Sequence, residues 1–277
     1  MTERHRLVKA SSSDMSRKYL KWILVTGFIA GGMIASVLIS LFIGEKSFGF
    51  LDVIDIIGGT GDATGRDIFL VHRLPRMILA FAAGGALSLA GVILQGIYRN
   101  PLVSPYTLGV SGGAAVGVTV VMVLGLHHFA GSMILPVAGF AGAVAAISVI
   151  YVLSFHGGKT HIPSMLLTGV MVSFVASSST MFLKSVASRE GLHGIVFWMM
   201  GSLEESNMSL VYTALWTALA ALLTSHLFTG PLNALRLGQV KAGHLGINTE
   251  VTIRILFVLA SLLVGIVSIK LTIHNFW

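Results

Sequence analysis

Long runs without a charged residue constrain the fold of this chain most. Residues 77–98 contain no charged side chain, and residues 100–158 form a second uncharged run, 59 residues long. A helix that crosses the hydrocarbon core of a bilayer needs about 20 apolar residues, so the longer run fits two crossings and a turn. Hydrophobic residues make up 55% of the chain and charged residues only 10%, whereas soluble domains are roughly one-quarter charged. The sequence therefore predicts an integral membrane protein.

The apolar segments predict an all-α fold, a polytopic transmembrane helix bundle with about seven spans. A polar N-terminal arm, residues 1–21, precedes the first span. That span has full crossing length and is not followed by a small-x-small cleavage pattern, which favours an uncleaved helix over a signal peptide. The predicted spans are residues 22–44, 75–98, 107–126, 133–154, 165–186, 209–229 and 253–273.

Basic residues divide unevenly between the two sides of this predicted bundle. With the N-terminus inside, the inner segments hold eleven Lys and Arg residues against three acids, and the outer segments hold seven against eight. Lys and Arg accumulate in cytoplasmic loops, so this distribution favours an N-terminus on the inside. Topology also accounts for the pI near 9.9, and we do not expect nucleic acid as a partner.

Motifs for catalysis or cofactor binding are not predicted. Residues 58–67, GGTGDATGRD, carry Thr64 where the third glycine of G-x-G-x-x-G would stand, and residues 158–160, GKT, lack the first glycine of a Walker motif because Leu153 occupies it. The chain has no cysteine, which excludes disulfides and thiolate metal sites. The sequence predicts no catalytic residue, no bound metal and no cofactor, and it predicts that this chain does not bind ATP by itself.

A helix-breaking segment, YRNPLVSPYTLGVSGG, lies inside the longest apolar region at residues 98–113. Pro101 and Pro105 remove backbone donors and disfavour helix in the residues before them, so the second span must end near residue 99 and the third must begin near residue 107. We interpret the stretch from Asn100 as an inner turn. Non-helical backbone survives at membrane depth only where protein or water covers it, and it is typical of transporters.

Glycines and hydroxyls give the predicted helices two further features. Gly109 and Gly113 belong to a run with glycine at every fourth residue, a spacing that lets another helix approach closely. Ser173, Ser177 and Thr180 share one helical face at i, i+4 and i+7. Such hydroxyls either bond the carbonyl one turn back or line a wetted path, and the sequence supports both interpretations equally.

Two long segments resemble the FecCD-type permeases, the membrane subunits of ABC importers for iron-siderophores, haem and cobalamin. The first, residues 72–118, has the order R-L-P-R, then G-x-x-L-x-x-x-G-x-x-x-Q, then N-P-L-x-x-P-x-x-L-G-x-x-x-G. The second, residues 232–265, resembles the inner loop between the family's sixth and seventh helices. The resemblance covers about residues 68 to 268.

This resemblance implies a transport subunit of the cell (inner or plasma) membrane and not an enzyme. It implies a homodimer that works with two ATP-binding cassette ATPase subunits inside and a substrate-binding protein outside. In such permeases, arginines of the R-L-P-R segment pair with acids of the binding protein, and the matching residues here are Arg73 and Arg76. Alternatively, these arginines only anchor the second span at the lipid headgroups.

The resemblance also implies an ATPase coupling loop and an inner gate. The loop, LGQVKAGHLG at residues 237–246, matches short helices that fit a groove on the ATPase, with Gln239 where the family usually has Glu. Its expected contact residues are Leu237, Gly238, Gln239, Ala242, Leu245 and Gly246. Thr160, His161 and Pro163 lie where the family places its inner gate, and proline suits a first helical turn.

The C-terminal end departs from the family pattern. The family continues after the position of Ser268 and has about ten spans, whereas this sequence reads IKLTIHNFW over residues 269–277. The sequence thus predicts a permease domain over residues 22–269, incomplete at its C-terminal end, and an atypical tail over residues 270–277. The main alternative is a truncated remnant that inserts in the membrane without transporting. A third possibility is a secondary transporter that works without an ATPase.

Overall fold

The structure is a computed structural model that describes residues 2–44, 46–128, 134–156, 159–203 and 208–270. The described chain is helical except for one two-residue strand pair, which confirms the all-α polytopic fold. Its helices are α1 (Thr2–Phe42), α2 (Phe50–Gly58), α3 (Ala63–Asp67), α4 (Leu74–Tyr98), α5 (Val110–Val123), α6 (Ile134–Ser154), α7 (Ile162–Val186), α8 (Arg189–Met200), α9 (Met208–Leu227), α10 (Thr229–Arg236), α11 (Gln239–His244) and α12 (Thr249–Lys270).

Four helical segments of the described chain are long and apolar enough to cross a membrane, namely Arg17–Phe42, Ala63–Tyr98, Ile134–Ser154 and Ile162–Val186. The pair α9 and α10 would form a fifth span, bent by 60° at its break. Helix α5 is apolar but has only 14 residues. The total of seven spans and the inside position of the N-terminus stay predictions.

The chain divides into two compact units, residues 1–77 and residues 78–277. Helix α1 runs without a break from the polar arm into the apolar segment, and the predicted domain boundaries stay predictions. The first unit has a small core of Phe48, Ile56 and Phe69. The rings of Phe48 and Phe69 pack edge to face with centroids 6.0 Å apart. Most of the predicted tail, residues 271–277, lies outside the described residues.

A π-helical segment, Ile68–Arg73, leads into α4. Its last bond runs from the amide of Leu74 to the carbonyl of Phe69, five residues back. Pro75 follows directly and has no amide hydrogen to bond Val71, and its ring would crowd that carbonyl in an α-helix. The wider π turn relieves this conflict, so the R-L-P-R motif sets the local geometry here.

The second unit has one large core, to which the turn after α4 and the helices α4 to α7 and α9 to α12 contribute. Ile93, Leu108, Met165, Leu235 and Phe257 are each less than 2% exposed and belong to the same cluster. They come from α4, the turn after it, α7, α10 and α12. The turn and α10 are therefore held by the same packing as the long helices.

The segment between α4 and α5 is the predicted inner turn. Arg99 ends α4 in a left-handed conformation with φ 51°. The side chain of Asn100 accepts a hydrogen bond from the amide of Leu102 at 2.9 Å, and Pro105 begins a 3₁₀ turn that ends at Leu108. Gly109 then adopts φ 73°, which glycine tolerates without the steric cost of a Cβ atom.

Helices α5 and α6 cross at a contact made of glycines. A Cβ atom on Gly113 would lie 2.5 Å from the carbonyl oxygen of Gly142 and 2.6 Å from the Cβ of Ala146. Gly117 faces the carbonyl of Ala138 at similarly close range. The two backbones touch because these positions carry no side chain.

Candidate functional site

Arg73 is held inside its own loop. Its guanidinium donates to the carbonyl of Leu41 at 2.7 Å and to the carbonyl of Lys46. Its Cζ lies 4.7 Å from the centroid of the Phe48 ring, within the range of a cation–π contact. These contacts connect the end of α1 to the start of α4.

Arg76 has different surroundings, although it lies only three residues further along the chain. Its side chain is exposed, and none of the described residues forms an ion pair or hydrogen bond with it. The geometry therefore separates the two predicted docking residues. Arg73 stabilises the loop, while Arg76 is accessible to a partner, and docking itself stays a prediction.

A cavity of about 600 Å³ lies between α5, α7 and α8. Two members of the predicted hydroxyl stripe, Ser177 and Thr180, belong to its wall. The lining residues are Tyr106, Ser111, Gly112, Ala115, Ser177, Thr180, Met181, Lys184, Trp198, Met199, Met200 and Gly201.

The hydroxyl stripe combines the two behaviours that the sequence left open. Ser173 and Thr180 donate to the carbonyls four residues earlier, at 3.0 and 2.9 Å. Ser177 lies between them, is exposed, and has no hydrogen-bond partner among the described residues. Ser177 is thus the hydroxyl that remains available to water or a solute in the cavity.

Lys184 gives this cavity a basic side chain, and none of its described lining residues is an acid. The indole Nε1 of Trp198 is buried without a hydrogen-bond partner in the part of the chain that the structure describes. Three methionines add flexible, polarisable surface that adapts to different shapes. The wall therefore suits a partly apolar solute that carries negative charge or hydrogen-bond acceptors.

The predicted gate residues lie at the junction of α6 and α7. Residues Phe155–His156 (β1) pair antiparallel with Lys159–Thr160 (β2). The amide of His161 donates to the carbonyl of Ser154 at 3.3 Å, and Pro163 lies in the first turn of α7. This arrangement places a two-residue strand pair, followed by a proline at the start of α7, at the predicted gate.

The predicted coupling loop, residues 237–246, forms a coupling segment that contains α11 and follows directly after α10. Gly238 separates the two helices with φ 112°, and Gly246 follows them with φ 80°. Ala242 is fully buried, whereas Leu237, Val240 and Leu245 are 59%, 75% and 64% exposed. One small side chain thus fixes the segment to the core, and three large apolar side chains point away from it.

Several lining residues were missed by the sequence reasoning. Met199, Met200 and Trp198 lie on α8 or its end, in a stretch that we assigned to an outer loop. Lys184 was also not among the predicted site residues. The amphipathic character of residues 189–200 and the basic residue in the last turn of α7 were the available signals.

The chain is similar to known membrane permeases over most of its length. The model of the FecCD transport family matches residues 32–271. The ABC transporter permease protein YvrB of Bacillus subtilis is 34% identical over 211 residues, which cover 75% of this chain and 59% of that protein. The hemin transport system permease protein HmuU of Yersinia pestis is 32% identical over 244 residues, which cover 87% and 72%.

A third relative and a solved structure agree with these matches. The cobalamin import system permease protein BtuC of Halobacterium salinarum is 30% identical over 239 residues, covering 84% of this chain and 59% of that protein. An inward-facing structure, assigned as a metal-chelate type ABC transporter, superposes with a TM-score of 0.71 at 25% identity and covers 87% of this chain and 72% of the other. This chain thus spans between 59% and 72% of the length of these relatives. The chain belongs to the FecCD transport family.

Proposed function

We propose that this chain is the membrane-spanning permease subunit of an ABC importer for an iron-siderophore, haem or cobalamin. Residues 22–269 form its permease domain. The chain supplies the path and the mechanical link, and partner ATPase subunits supply the energy. Family membership and the names of the relatives, which include hemin and cobalamin permeases, support this proposal.

The cavity between α5, α7 and α8 is the proposed substrate path. Its volume of about 600 Å³ is in the range of pockets that bind small molecules. Ser177 offers a hydroxyl, Lys184 attracts anionic groups, and the methionines tolerate a bulky apolar cargo. A path needs weak contacts at several points, because a cargo that binds too tightly cannot leave.

One observation carries the link to ATP hydrolysis, namely the exposed apolar surface of the coupling segment. Val240 lies in α11, Leu237 and Leu245 flank that helix, and all three are exposed; exposed apolar patches mark interaction sites. Helix α10 is bent by 60° from α9 and is anchored by the buried Leu235. Movement of a partner against this segment would therefore be transmitted to the long helices as a rigid-body shift.

Further partners complete the proposed assembly. A second copy of the chain forms a homodimer around the path, and an extracytoplasmic substrate-binding protein docks at Arg76. The cell (inner or plasma) membrane is the proposed location. Gln239 removes the acid that the family usually has in the coupling segment, so coupling here relies on shape and apolar contact.

Co-purification with an ATP-binding cassette ATPase from the same genome tests the proposal. The double change Leu237→Asp and Val240→Asp should abolish co-purification, since each apolar side chain contributes roughly 1.5–3 kcal/mol when fully buried. Leu237→Met with Val240→Ile is the matched control and should retain the ATPase. Equal retention by both variants would contradict the coupling assignment, and ATP-independent uptake would favour a secondary transporter.

A further inference from the structure

A second cavity, of about 590 Å³, lies where the end of α4 meets α10. Of the described residues that line it, two are arginines and none is an acid. Its described lining residues are all different from those of the proposed path, and Arg99 in its wall lies next to Gly238 of the coupling segment. We propose that this cavity binds the phosphate headgroup of an anionic phospholipid.

Helix α4 contributes the lining residues Val92, Gln95 and Gly96, which lie on one face of the helix, and Arg99 follows directly after the helix. Along this stretch, the residues change from the exposed apolar Val92 through an amide to the exposed Arg99. The order matches a phospholipid, whose acyl chains lie deeper in the membrane than its phosphate.

Helix α10 contributes the lining residues Thr229, Leu232, Asn233 and Arg236, spaced i, i+3, i+4 and i+7. The two helices meet where Leu232 packs over Gly96, since a Cβ atom on that glycine would lie 2.6 Å from the leucine Cδ1. In both segments the arginine follows the glycine–leucine contact by three or four residues. Both arginines line the cavity and follow this contact in their own segments.

Both guanidinium groups lack an acidic partner within the described part of the chain. The ion pair between Lys46 and Asp62 involves neither arginine. Arg99 has its Nη1 near Gly238, which offers no charge. Arginine forms bidentate hydrogen bonds with phosphate oxygens, and the amides of Asn100 and Asn233 add further donors.

The charge of the site favours a monoanion. Arg99 and Arg236 lie at the C-terminal ends of α4 and α10, and each helix end contributes about half a negative charge. Two full positive charges therefore leave a net charge of about +1. A lipid phosphodiester such as that of phosphatidylglycerol carries one negative charge, and basic pockets between transmembrane helices are known sites for anionic headgroups.

Titration of the detergent-purified chain with phosphatidylglycerol, followed by native mass spectrometry, tests this site. Arg99→Asn suits the left-handed backbone at that position, and Arg236→Gln suits a helix. Each change should weaken phosphatidylglycerol binding roughly five-fold and the pair roughly thirty-fold, because a basic residue near the lipid surface contributes on the order of 1 kcal/mol. Lys241→Gln removes an exposed charge outside the cavity and should change binding by less than about two-fold.

Four outcomes would overturn the proposal. The first is that Lys241→Gln weakens phosphatidylglycerol binding as much as the arginine changes do. The second and third are that phosphatidylcholine binds as tightly as phosphatidylglycerol, and that equimolar inorganic phosphate displaces the lipid. The fourth is that the double variant binds the lipid unchanged but no longer binds the ATPase. The last outcome would assign the arginines to the ATPase interface. If the double variant fails to fold, Arg236→Gln alone decides, with its five-fold effect expected.

Discussion

The glycine contact between α5 and α6 makes the sharpest prediction about packing. A Cβ atom on Gly113 would lie 2.5 Å from the carbonyl oxygen of Gly142 and 2.6 Å from the Cβ of Ala146, whereas ordinary contacts are at 3.4–4 Å. Gly113→Ala therefore forces the helices apart by nearly 1 Å at this point. Overpacking of this kind costs about 1–3 kcal/mol, while alanine improves the helix propensity by about 1 kcal/mol.

Gly84→Ala is the matched control for this prediction. Gly84 also lies in a long helix, and none of the described residues comes within 4 Å of its Cβ position. The propensity gain cancels between the two variants, so Gly113→Ala should be less stable than Gly84→Ala by about 1–3 kcal/mol. Thermal unfolding of the detergent-purified variants measures the difference, expected to be several degrees. Equal midpoints would refute the close helix contact.

Three further predictions concern charged residues. Arg76→Glu should prevent docking of the binding protein in a pull-down, because like charges then face each other. Arg73→Gln should instead increase proteolysis of the loop that precedes it. Identical effects of the two changes in both assays would contradict the separate roles of Arg73 and Arg76. The hydrogen bond from Lys46 and that from a backbone amide hold the pKa of Asp62 below its ordinary value of 3.8. The ionised Asp62 therefore stabilises the folded loop above about pH 4, and this stabilisation is lost as the pH falls through the folded pKa. Protection of α3 against hydrogen exchange should decrease as the pH falls through that range, and it should be independent of pH in Asp62→Asn. Lys184→Met should reduce uptake of an anionic cargo more than uptake of a neutral one.

Helix boundaries could be predicted where apolar length alone decides them. Residues 75–98 and 133–154 were predicted as spans, and α4 and α6 occupy Leu74–Tyr98 and Ile134–Ser154. Helix α5 is shorter than the predicted residues 107–126, because a 3₁₀ turn and the positive φ of Gly109 delay its start. Local backbone conformation thus limits the prediction at that point.

The break between α9 and α10 had a signal in the sequence that did not give its angle. Pro231 stands four residues after Leu227, the last residue of α9, and cannot donate to the carbonyl of Leu227. The break follows from this missing bond. The bend of 60° depends on how Leu232 and Leu235 pack in the core. The sequence of this segment alone does not specify that packing, because the partner residues come from other helices.

The separate roles of Arg73 and Arg76 could not be predicted from their motif. Arg73 is held by carbonyls of Leu41 and Lys46, 32 and 27 residues earlier in the chain. Likewise, the cavity wall combines Ser177 with residues of α5 and α8. Contacts between distant segments decide both features, whereas the motif records only residue order.

Thiol labelling tests the central claim, that the cavity between α5, α7 and α8 is the substrate path, most directly. The chain has no cysteine, so Ser177→Cys introduces a single target, and Val175→Cys is its control at similar depth on the opposite side of α7. Val175 is 67% exposed and does not line the cavity. A charged, membrane-impermeant thiol reagent should modify Ser177→Cys, at a rate that changes when the ATPase and ATP are added, and should leave Val175→Cys unmodified. Equal modification of both cysteines, or none at Ser177→Cys in any nucleotide state, would contradict the proposed path.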